Sequence, residues 1–76
     1  MMKKISVSGW KAGFQKIRFT SMMRREFGYG LAKTKGTTDA VVNHERVELQ
    51  VKDAECDRIM VELNRLGAEC KVEDQF

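Results

Sequence analysis

The sequence predicts a small α/β two-layer sandwich of order β-α-α-β-α-β, a three-stranded antiparallel sheet covered on one face by helices. Three observations carry this. Apolar residues alternate with period two in three short stretches. Two long segments between them repeat apolar residues at helical spacing. Glycine stands where each of those helices should stop.

In the first stretch, Ile5 and Val7 point one way and Lys4, Ser6 and Ser8 the other. A loop at Trp10-Lys11-Ala12, bracketed by Gly9 and Gly13, leads into a helix expected over Phe14 to Phe27, with Gly28 ending it. At 100° per residue, Ala12, Lys16, Phe19, Met22, Met23 and Phe27 gather as its core stripe. Gly13, Ile17, Thr20, Ser21 and Arg24 fall on the opposite side, so Ile17 is predicted to be an apolar residue facing water. Leu31–His44 should hold some helix. Gly36, Thr37 and Thr38 are poor helix formers, and Thr38 or Asp39 could instead cap a turn through Ala40, Val41 and Val42.

Alternation returns over Glu45–Lys52, with Val47, Leu49 and Val51 on one side. Asp53 is placed to cap the next helix. Its stripe is Cys56, Ile59, Met60, Leu63 and Leu66, and Gly67 is its left-handed stop. In the last strand Ala68, Cys70 and Val72 should face inward and Glu69, Lys71 and Glu73 outward, with a frayed end at Asp74-Gln75-Phe76. A helix joins the second and third strands, so a right-handed crossover puts the first strand between them, antiparallel to both. The second strand is then an open edge through which copies could associate.

Residues 1–76 make one domain. No stretch approaches the roughly 18 apolar residues of a membrane helix, and no apolar signal segment follows the basic start. With only Cys56 and Cys70, a cytoplasmic chain with reduced thiols is expected, both cysteines serving as small apolar filler. No catalytic residue, metal site or cofactor is expected. His44 stands alone in a polar turn, no ligand spacing occurs, and Gly28-Tyr29-Gly30 follows a helix rather than the strand a phosphate-binding loop requires.

Charge is unevenly placed. Residues 1–35 hold nine basic side chains against the single acid Glu26, a balance of +8. Residues 36–76 hold five basic and ten acidic ones, a balance of −5, for the net +3. Such asymmetry marks a partner with acidic groups, protein or nucleic acid; the alternative is two halves of one surface attracting each other.

The basic helix and the turn after it carry Lys16-Ile17, Arg24, Gly28-Tyr29-Gly30-Leu31 and Lys35 without a gap, and the closing helix ends in Leu63-Asn64-Arg65-Leu66-Gly67-Ala68 before a charged alternating strand. Over about residues 5–73 this resembles the C-terminal, factor-binding domain of the bacterial ribosomal large-subunit stalk protein. The resemblance implies the same β-α-α-β-α-β sandwich, which the protease adaptor ClpS also shares. It also implies that the first helix and glycine turn bind the G domains of translation factors, through Lys16, Ile17, Arg24, Gly30, Leu31 and Lys35. The chain departs from the pattern at Thr20 and Ser21, where the family has an aliphatic residue and a lysine, and at Lys33, where it has glutamate. The family's N-terminal dimerisation segment and hinge have no counterpart here, so a stand-alone relative with its own partner is expected. The second reading is a nucleic-acid binder in which the same cations neutralise phosphates and Trp10, Phe14 and Tyr29 stack on bases.

Overall fold

The structure is a computed structural model that describes residues 2–73. Its order is β1 (Met2–Trp10), α1 (Lys16–Phe27), α2 (Leu31–Val42), β2 (Val47–Lys52), α3 (Asp53–Leu66) and β3 (Ala68–Glu73). The sheet runs β2-β1-β3, and β1 is antiparallel to both neighbours, as the crossover argument requires. Ile5 pairs with Leu49 on one side and Val72 on the other, and Val7 pairs with Val47 and Cys70. These pairs put the alternating apolar residues on one face. There Ile5, Val7 and Leu49 are fully buried beneath Phe19, Met22 and Leu63 of the helices. Each large side chain so buried contributes about 1.5–3 kcal/mol.

β1 is longer than the Ile5–Ser8 core of its pattern, because Gly9 and Trp10 continue the ladder past a bulge between Val7 and Gly9. Glycine is needed there: a Cβ on Gly9 would stand 2.6 Å from Nδ1 of His44. His44 has a left-handed backbone, φ 61°, and its ring stacks on Trp10 at 5.5 Å between centroids. The Trp10 indole N–H donates to the carbonyl of Val42 at 2.9 Å. The polar turn therefore closes onto the end of β1.

Several expectations are corrected. The first helix begins at Lys16, not Phe14, because Gln15 donates its backbone N–H to the Leu66 carbonyl and Phe14 closes a turn onto Lys11. Ala12 and Lys16 are exposed, not core. Ala12 lies before the helix, and a side chain at the first helical position leans back off the helix end. Thr20 is half-buried against α2, not in water. Asp53 is the first residue of α3 and makes no capping bond; its carboxylate lies 3.6 Å from Lys3 Nζ. Val72 shares the inner face with Ile5 but is 37% exposed, since β3 is an outer strand with one flank open. Ser6, on the outer face, is buried because it is small and sits between the longer Glu48 and Lys71. The end at Asp74-Gln75-Phe76 lies outside the described residues.

The middle segment is a full twelve-residue helix, not a turn. Its threonines account for this. Thr37 and Thr38 donate to the carbonyls of Lys33 and Thr34, at 2.8 and 3.0 Å, which satisfies their hydroxyls within the helix. Thr34 and Thr38 are buried, and the Thr38 hydroxyl meets that of Thr20 on α1 at 3.0 Å. Nothing in the structure explains Gly36.

Candidate docking face

α1 packs against α2 on one side and α3 on the other. Its entry is fixed by the Gln15–Leu66 bond and by Lys11 donating to the Gly67 carbonyl at 2.8 Å. Its exit is Gly28, φ 64°, whose N–H returns to the Arg24 carbonyl. The buried stripe of Phe19, Met22 and Met23 then forces the opposite stripe outward. Ile17 is 83% exposed there and Leu31, at the start of α2, is 70% exposed.

Charge placement around Ile17 runs against helix electrostatics. The first turn of α1 holds no acid, and Lys16 and Arg18 occupy it, close to the positive end of the helix dipole. α3 does the opposite, with Asp53 and Glu55 in its first turn and Arg65 in its last. Of the nine cations in residues 1–35, Lys3, Lys4 and Arg25 pair with Asp53, Glu48 and Glu62 of the second half. Self-attraction between the halves is thus real but partial. Among the described residues Lys16, Arg18, Arg24 and Lys35 have no carboxylate within 4.0 Å. Lys33 lies 4.3 Å above the Tyr29 ring.

The six residues singled out from sequence fall into two groups on one surface. Ile17 and Arg24, seven positions apart, lie on one stripe of α1, about 10 Å apart along the axis. Leu31 and Lys35 lie one turn apart on α2. Contact between Thr20 and Thr38 sets the helices antiparallel. Lys16 and Ile17 therefore stand at the far end of α1, and Arg24 stands near the turn, where it lines a shallow cleft with Gly28 and Tyr29. Gly30 caps α2 in an extended conformation, and a Cβ there would meet nothing within 4 Å. The fold does not require glycine at 30, and its bare backbone lies open beside Leu31.

The aromatic side chains read as base-stacking candidates are engaged within the chain. Trp10 stacks on Phe14 and His44, and Tyr29 packs against Phe27 at 5.7 Å, where burial pushes its phenol pKa up. Cys56 is buried and Cys70 is half-buried, its thiol pKa pushed up by burial. Among the described residues no three His, Cys, Asp or Glu side chains gather as metal ligands, and no helix is long and apolar enough to cross a membrane.

Sequence periodicity missed the α1–α3 seam. Arg58 of α3 donates to both Glu26 oxygens, at 3.0 and 2.9 Å, and Arg25 of α1 reaches Glu62. The Arg58 guanidinium, helped by Arg25, holds the Glu26 carboxyl at about 2, below its ordinary 4.5. Residues this far apart carry no local signal of pairing.

No protein-family model, curated protein or solved structure matches the chain.

Proposed function

We propose that this domain is a non-catalytic protein-binding module that docks through the outer stripe of α1 and the Gly28-Tyr29-Gly30-Leu31 turn. The observation that carries the reading is Ile17 at 83% exposure, set among Lys16, Arg18 and Arg24, which have no carboxylate within 4.0 Å among the described residues. Scattered exposed apolar residues are ordinary on monomers. Here two of them, Ile17 and Leu31, lie along a face whose positive charge is left uncompensated at a cost to α1. A partner with an acidic surface and a small apolar pocket would gain from both: charge steers the encounter and the apolar contacts slow dissociation.

The resemblance to the stalk domain makes the G domains of translation factors the first partners to test, with Lys16, Arg24 and Lys35 meeting carboxylates and Ile17 and Leu31 filling pockets. Titration of a purified translational GTPase into labelled protein, followed by anisotropy, should give saturable binding that weakens with salt and is lost in the K16E/R24E double variant. Equal binding by wild type and double variant refutes the assigned face. For the nucleic-acid reading, a gel shift with short RNA and DNA over a salt series is the test. Retardation at physiological salt that K16E/R24E abolishes would replace the protein partner with a phosphate backbone.

A further inference from the structure

We propose that the groove between α1 and α3 is a second docking site, one that takes an acidic amphipathic helix from a protein partner. It borders the Ile17–Leu31 face along Ser21 and Arg25 and does not depend on it. The groove encloses about 770 Å³. One wall is a helical row on α1, Arg18, Ser21 and Arg25; the other is a row on α3, Asp57, Val61 and Arg65. Each row spans about two turns, or about 10–12 Å. Two such rows form the cradle that a third helix fills with residues spaced i, i+3 or i+4, and i+7.

The lining names the chemistry of the occupant. Val61 is 53% exposed at mid-groove, with Leu66 buried at one end, so the cradle offers an apolar seat. Four arginines line it. Two are spoken for: Arg58 lies 2.9 Å from Glu26 and 2.6 Å from Glu55, and Arg25 contacts Glu26 and Glu62. Arg18 and Arg65 have no carboxylate within 4.0 Å among the described residues. They stand at the same end of the groove, where Gln15 donates to the Leu66 carbonyl. Among the described residues the arginines at one end are neutralised and those at the other are not. A carboxylate on an incoming helix completes that end in the way Glu26 and Glu62 complete the first. Phosphate could meet the arginines, but a nucleic acid would make no use of Val61, so a helix is the better fit.

The test is a titration of isotope-labelled protein with a synthetic peptide about 15 residues long, its leucines at helical spacing and flanked by glutamates. The expected result is amide shift changes centred on Ser21, Val61 and Arg65. R18E/R65E should weaken binding by about tenfold or more, while K16E/R24E leaves it intact. R65A supplies the same readout with a smaller change of charge. Shifts centred on Ile17 and Leu31, equal binding of a scrambled peptide, displacement by a short oligonucleotide, or no binding at millimolar peptide would each overturn the proposal.

Discussion

The two seams of α1 are built from opposite materials. Towards α3 the helix is clamped by charge: Arg58 grips Glu26 with two bonds, and Arg25 reaches across to Glu62. Towards α2 it is held by neutral hydroxyls, Thr20 against Thr38, while among the described residues Lys16, Arg24 and Lys35 have no carboxylate within 4.0 Å. Both seams rest on the same buried Phe19, Met22 and Met23. Of the acids in the described part of residues 36–76, one, Asp39, stands on α2, and the others stand on α3, the sheet and the loop before β2. α1 thus carries cations of two kinds, Arg25 paired across to α3 and Lys16, Arg18 and Arg24 without a carboxylate within 4.0 Å among the described residues, and the proposed docking role falls to the second kind.

Substitutions break this contrast in graded steps. Phe19→Ala removes the ring on which both seams rest and should cost about 3–5 kcal/mol in urea unfolding, enough to lose the fold of a domain this small. Glu26→Gln opens only the charged seam. Glu26 titrates at about 2 when folded against an ordinary 4.5, so its contribution is complete above about pH 4.5 and drains as pH falls towards 2. At neutral pH the variant should lose about 2 kcal/mol, allowing for the exposure of the arginines, and its unfolding midpoint should change less with pH across that window than the wild type's. Thr38→Val opens only the neutral seam and should cost about 1 kcal/mol with no added pH dependence. Ile17→Ser should change stability by less than about 0.5 kcal/mol. If Thr38→Val lost the acid-side pH dependence that Glu26→Gln is expected to lose, or Ile17→Ser cost as much as Phe19→Ala, the division into clamped and open seams would be wrong.

The layered fold was legible because its signals are local. Period-two runs at Ile5–Val7 and Val47–Val51 set the strands, and Gly28 and Gly67 stop helices at φ 64° and 87°. The crossover rule then placed β1 in the middle. Helix α2 was only partly legible, because Thr34 and Thr38 lower helix propensity in isolation and gain their place from burial and from Thr20, eighteen positions from Thr38. Ile17 and Arg24 could be placed outside the core from helical phase alone, whereas Leu31 entered only through the resemblance to the stalk domain. Which cations were free could not be read, because Arg25 differs from its neighbour Arg24 only in reaching Glu62, a residue on another helix. Lys16 shows the same limit: phase put it on the core stripe, and its place at the helix start took it out.

The most direct measurement compares wild type with the I17S/L31S double variant in two readouts on the same preparation, urea unfolding and binding to the acidic protein partner captured by the wild type. An unchanged unfolding midpoint with binding lost is the result expected of a face that serves only a partner. Full binding retained with both apolar side chains gone, or a collapse of stability, would contradict it.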